Sequence, residues 1–210
     1  MCIRDSAQGD LPSAKSHLEA ALKQAPGDPE IMHWLAVAEH RHGDDVEARA
    51  LVDQILERHP RFLPALTDEM QFAADRQDYR IALIAQLNRM TVMPDPPAPE
   101  YCRLGAIWMK MANPAEAEPV LLRGIMKDPY SYACNLELGE LYRETGRFLT
   151  ARQHFELVVR LYPNYDATIF RSLAGIYLIL GEPRAAKATL HKGLRLFPDD
   201  PDLQHAVAAK

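Results

Sequence analysis

The side chains best able to carry chemistry here are histidines and cysteines, and their spacing argues against it. Eight histidines are present. His33, His40 and His42 lie close together, but intervals of seven and two do not give the i, i+4 pair that presents two imidazoles to one metal from one helix face. These three are expected to face solvent, and His17, His59, His154, His191 and His205 are scattered singly. Three cysteines without a Cys-x-x-Cys argue against a zinc knuckle and against a disulfide framework. Cys102 and Cys134 are expected to be buried, inert thiols, because a reactive thiolate needs a neighbouring base or cation and only Arg103 stands near in sequence. No glycine-rich phosphate loop, nucleophile elbow or aspartate-rich metal loop occurs. The expectation is a chain without catalysis, metal or cofactor.

Composition excludes further classes. A chain that is 48% hydrophobic and 25% charged folds instead of staying disordered. Twenty-four basic against 29 acidic residues leave a net charge of −5, which argues against nucleic acid as partner. No run approaches the ~20 apolar residues that span a bilayer. Residues 7–94 carry nine basic and 14 acidic side chains, whereas residues 95–210 carry 14 of each. The first stretch reads either as a solvated acidic surface or as one that steers a basic partner.

Proline marks the elements that must position these residues. Pro26, Pro60 and Pro94 are 34 residues apart, and Pro129, Pro163 and Pro198 follow at 35, 34 and 35. Each ends an apolar-periodic run, where proline cannot continue a helix. Twelve residues before each stands an alanine: Ala14, Ala48, Ala82, Ala117, Ala151 and Ala186. Seventeen before stand Gly9, Gly43, Gly146 and Gly181, with Gln77 and Ala112 in the other two places. This is two helices joined by a tight turn, in which glycine supplies a positive φ and alanine a close helix approach. The pattern predicts one second helix near 11–24. Pairs follow near 29–42 and 45–58, 63–76 and 79–92, 98–111 and 114–127, 132–145 and 148–161, and 167–180 and 183–196. Pro114 and Pro183 stand at or near the first helical position, where a missing N–H costs nothing. Trp34, Trp108, Tyr142, Phe155 and Tyr177 fall at repeat-related places and are expected in the core. The one proline cluster, Pro94 to Pro99, reads as a longer link or as a hinge between domains.

These residues resemble the tetratricopeptide repeat family. The clearest copy runs Leu138-Gly139, Tyr142, Gly146, Ala151, Phe155 and Pro163; the most divergent keeps Ala82 and Pro94 but has Met70 and Ala73 where the family prefers small and aromatic residues. The resemblance implies an all-α, right-handed solenoid of about five and a half antiparallel helix pairs over 7–198: a half repeat at 7–28 and repeats at 29–62, 63–97, 98–131, 132–166 and 167–200. Residues 199–210 read as a capping helix or a cut repeat. It further implies that a non-catalytic scaffold binds a protein or peptide in a concave groove lined by first helices. The groove places fall on His33, His40 and Arg41 in repeat one, Thr67, Gln71 and Asp75 in repeat two, and Cys102, Met109 and Lys110 in repeat three. Glu140, Arg143 and Glu144 follow in repeat four and Thr168 and Arg171 in repeat five, with Arg103 and Glu137 one place further on. Family members that bind chaperone tails clamp a carboxylate with a lysine and an asparagine four apart. Here those places hold His33 and Val37, Thr67 and Gln71, Cys102 and Ala106, Leu136 and Glu140, and Arg171 and Gly175. A chaperone-tail receptor is therefore not expected.

The ends carry three expectations. Residues 1–6, Met-Cys-Ile-Arg-Asp-Ser, match the translation of a transposon sequencing adapter and are set aside as an artefact. The true N-terminus is then missing, so a lost enzyme domain or membrane tether of an envelope assembly protein is the alternative reading. The compartment stays unassigned between cytoplasm, the default, and periplasm. Leu11, Ala14, Leu18, Ala21 and Leu22 form an apolar strip that is expected to lie exposed and to drive self-association.

Overall fold

The computed structural model describes residues 11–208. The adapter-like residues 1–6, with Cys2, and Gly9 lie outside them. Among the described residues there are twelve helices and no strand: α1 (Leu11–Gln24), α2 (Pro29–His42), α3 (Asp45–Arg58), α4 (Leu63–Asp75), α5 (Tyr79–Val92), α6 (Ala98–Lys110), α7 (Pro114–Lys127), α8 (Tyr132–Glu144), α9 (Phe148–Leu161), α10 (Thr168–Ile179), α11 (Pro183–Leu196) and α12 (Pro201–Ala208). The helices of the five pairs lie within a residue of the expected ones. Each repeat-closing proline stands two residues past its helix end. Pro114 and Pro183 open α7 and α11, as their position required.

The turn inside every pair is built alike. After α8, the Gly146 N–H donates to the Arg143 carbonyl at 3.2 Å and the Arg147 N–H to the Tyr142 carbonyl at 2.7 Å, satisfying carbonyls that the helix end leaves open. The same two bonds recur around Gly43, Gln77, Ala112 and Gly181. All five residues have positive φ, and Gln77 (61°) and Ala112 (54°) adopt it with a side chain attached. The repeat thus imposes the turn even where glycine is missing.

Contacts divide the chain into two compact units, Met1–Asp95 and Pro96–Lys210, with the boundary inside the proline cluster. In the first, Val52, Ile55, Ala65 and Phe72 form one core cluster and Leu18, Leu35 and Ala38 another. The expected exposed strip on α1 is corrected here: Ala14 and Leu18 are buried and Leu22 packs against both clusters, while Leu11's side chain lies outside the description. Lys15 on α1 also meets Glu39 on α2 at 2.9 Å. The second unit has one continuous core from Cys102 through Leu121, Leu138, Phe155 and Phe170 to Leu203 on α12. Tyr142 and Phe155 are buried, and Trp34, Trp108 and Tyr177 are half-buried against cluster residues.

Left-handed backbone costs a side-chain-bearing residue roughly 1–2 kcal/mol. Gln77→Gly and Ala112→Gly are each expected to stabilise the fold by about 0.5–1 kcal/mol after the added unfolded-state freedom of glycine. That is about 1–4 °C in Tm by thermal denaturation; an unchanged or lower Tm in both contradicts it.

Candidate functional site

In the first unit the expected groove residues His33, His40 and Gln71 are engaged by neighbouring carboxylates. The His33 Nδ1–H donates to Asp68 at 2.5 Å, across from α2 to α4, with both side chains nearly buried. Burial raises the Asp68 pKa and His33 opposes the rise. His40 stacks on Phe72 with centroids 4.1 Å apart, and its two nitrogens meet Asp45 at 2.6 Å and Asp75 at 3.0 Å. Gln71 donates to the other Asp75 oxygen at 2.8 Å. The expectation that these histidines face solvent therefore fails for His33 and His40, which bind α2 to α4. It holds for His42, paired with Asp44 at 2.9 Å on the surface. Among the described residues no cluster of His, Cys, Asp and Glu could hold a metal.

In the second unit α6, α8 and α10 line a cavity of about 350 Å³. Its walls bring together six of the expected residues, Met109, Lys110, Glu137, Glu140, Glu144 and Thr168, with the aliphatic Leu136 and with Ser172. Glu140 is held on both sides: Ser172 donates to it at 2.9 Å and Arg143 at 2.6 Å. Arg143 also approaches Glu144 at 3.7 Å. Glu137 has no such partner among the described residues. Burial, then the negative charge of Glu140 and Glu144, pushes its carboxyl up from 4.5 to about 6, against the pull of Lys110. The cavity holds a carboxylate whose ionised form is undercompensated. Arg103 and Arg171 lie apart from it. Arg103 pairs with Glu100 along its own helix at 3.1 Å, and Arg171 reaches Asp202 at the start of α12 at 2.5 Å.

The cysteines depart furthest from expectation. Cys102 is not a groove residue, and the chain does contain a disulfide: Cys102 on α6 is bonded to Cys134 on α8, with their Cα atoms 4.7 Å apart and both residues buried. The bond ties two walls of the cavity together. Motif spacing missed it because the contact is made between repeats. The available signal was that both residues lie on first helices, with a separation of 32, two short of the repeat.

Two family models, each described as tetratricopeptide repeat, match residues 6–66 and 109–166, together more than half of the chain. The chain belongs to the tetratricopeptide repeat family. No curated protein matches it by sequence. Among solved structures it is similar to PilW, a widely conserved type IV pilus biogenesis factor, with a TM-score of 0.83 and 19% identity over 98% of this chain and 94% of that one. It is similar to pilF of Pseudomonas aeruginosa, with a TM-score of 0.79 and 19% identity over 100% and 94%. YrrB, a TPR protein with an unusual peptide-binding site, aligns with a TM-score of 0.67 and 18% identity over 90% and 96%. At such identities the likeness establishes the fold. No helix among the described residues is long and apolar enough to cross a membrane.

A cross-link that closes a loop of 32 residues contributes about 2–4 kcal/mol. Reduction, or replacement of both cysteines by serine, is expected to lower Tm on the order of 10 °C. A melt unchanged by reductant shows that the bond does not form.

Proposed function

We propose that the chain is a non-catalytic scaffold that binds an extended segment or helix of a partner protein along its first helices. The cavity around Glu137 is the anchoring point for a lysine or arginine of that partner. The observation that carries this is the half-buried Glu137 carboxylate, lined up with Glu140 and Glu144 and opposed only by Lys110. An arriving cation would offset the cost of keeping it ionised, and Met109 and Leu136 would receive the cation's aliphatic stem. His33 and His40 already serve as ties between helices, and Gln71 steadies Asp75, which His40 also meets, so their part in the scaffold is to hold the surface in shape. Arg103, Arg143 and Arg171 are likewise engaged and would act at the rim.

A second reading concerns place. A buried disulfide persists where thiols are not kept reduced, which favours an extracytoplasmic compartment and, with it, an envelope assembly role. The likeness to PilW and pilF is consistent with that role.

Glu137 fixes the sign of the pH dependence. With its folded pKa at about 6 and its ordinary value at 4.5, it costs stability above pH 6, and the cost vanishes as pH falls below 4.5. Partner binding runs the other way, because a cation needs the ionised form. The affinity of a lysine- and arginine-rich peptide, read by calorimetry, is expected to fall as pH drops from about 7.5 to about 5.5. Glu137→Gln should weaken binding at the higher pH and flatten that profile. A pH-independent affinity, or binding unaffected by the substitution, contradicts the assignment. For the second reading, Cys102 and Cys134 should resist alkylation in protein taken directly from its own cells until reductant is added. Two immediately reactive thiols would place the chain in a reducing compartment.

A further inference from the structure

A second cavity, of about 190 Å³, lies within the first unit between α3, α4 and α5. Its floor is apolar: Val52 on α3 and Phe72 on α4 are buried, with half-buried Ile81 and the 57% exposed Ile84 on α5 beside them. Four charged side chains complete the lining: Arg49 and Asp53 from α3, Glu69 from α4 and Arg76 just past the end of α4. Two arginines and two carboxylates in one recess would be expected to close on one another. They do not. Among the described residues none of the four side chains makes a hydrogen bond or an ion pair, and Arg76 Nη1 is buried without a partner.

The charges are also sorted by sign. Helices α3 and α4 run antiparallel across a four-residue link, 59–62. Arg49 stands one turn before Asp53 on α3, and Arg76 two turns after Glu69. Both cations therefore lie toward one end of the cavity and both carboxylates toward the other. Burial raises the Glu69 carboxyl, Asp53 adds to the rise, and Arg49 opposes it only partly. The glutamate is particular to this repeat. Leu35, Leu104, Leu138 and Leu173 hold the corresponding place in the other four, and all are buried. Where those repeats put core, this one puts a carboxylate beside a cavity.

We propose that this cavity binds a small zwitterion, a free α-amino acid with an aliphatic side chain. Arg76 and Arg49 meet the ligand carboxylate, Glu69 and Asp53 meet its ammonium, and its side chain lies on Val52, Phe72 and Ile81. Sign argues against simpler guests. An anion alone would also face two carboxylates and a cation alone two arginines, whereas a zwitterion meets each end with its opposite. Size points the same way, because the volume is below the roughly 300–1,000 Å³ of sites for drug-sized ligands. The site belongs to the first unit and takes a different guest from the cavity around Glu137.

Calorimetry on the intact chain compares L-leucine with three controls: N-acetyl-leucine, which lacks the ammonium, leucinamide, which lacks the carboxylate, and glycine, which lacks the side chain. Saturable leucine binding with a Kd below about 1 mM is expected, and each control should bind about tenfold or more weakly. Arg49→Glu and Glu69→Leu should each weaken leucine binding by about the same factor. Arg49 is exposed, and Glu69→Leu installs the residue of the other repeats, so both variants are expected to fold, which circular dichroism checks. The proposal is overturned if leucine does not bind or if neither substitution weakens its binding. It is equally overturned if N-acetyl-leucine or leucinamide binds as tightly, which would mark a site for one end of a chain, or if glycine does, which would leave the apolar floor without a part.

Discussion

One close contact between the paired helices governs the rest. The alanine at the start of each second helix is fully or almost fully buried, and in two pairs of the second unit a large side chain four residues later lies against a glycine of the first helix. In the second unit those large residues are Leu121 and Phe155, and they occupy the space above Gly105 and Gly139. A Cβ on either glycine would stand 2.3 Å from Leu121 or 2.6 Å from Phe155. Those two pairs therefore pack closely, and the left-handed turn suits such an approach, since the chain must reverse within three residues. Within each unit, successive first helices come side by side, so residues about one repeat apart in sequence touch. His33 with Asp68, His40 with Asp75, Glu140 with Ser172, Cys102 with Cys134 and Arg171 with Asp202 are all instances, at separations of 31 to 35.

This explains what could be read from the residues and what could not. Helix ends and turns are decided locally: a proline two residues past a helix, an alanine twelve before it and a small residue at the turn act within their own pair. The contacts between first helices are different. Cys102 and Cys134 form no short motif, so spacing rules written for one loop or one helix pass over them. His33 and His40 look like surface histidines until Asp68, Phe72 and Asp75 arrive from the next repeat. The strip on α1 fails for a related reason: α2 covers the face that a preceding helix was expected to fill.

Repeat two shows how the pattern tolerates exceptions. Glu69 takes the place that Leu104, Leu138 and Leu173 fill elsewhere, and Gln77 takes the place of the turn glycine. Burial raises the Glu69 carboxyl, Asp53 adds to the rise, and Arg49 partly opposes it. The repeat nevertheless forms both helices and its turn, because Ala65, Ala73, Ala82 and Ala85 keep the close approach. Packing distance is the constraint that must be met, and single polar residues can be accommodated around it.

The two units meet that constraint with different ties, and the difference bears on function. Between α2 and α4 the ties are His–carboxylate pairs and a stacked ring, polar groups that are used up in holding the helices. Between α6 and α8 a disulfide and a continuous apolar core do that work, so the polar residues on those helices are not required as ties. Lys110 and Glu137 are left over in this sense: no core contact and no hydrogen bond depends on them, yet both face the same cavity. Half-burying a carboxylate without a donor is a cost to folding. A cost kept where the scaffold does not need it is one that a ligand would remove, which is why we propose binding at this cavity rather than at the histidine-tied surface of the first unit.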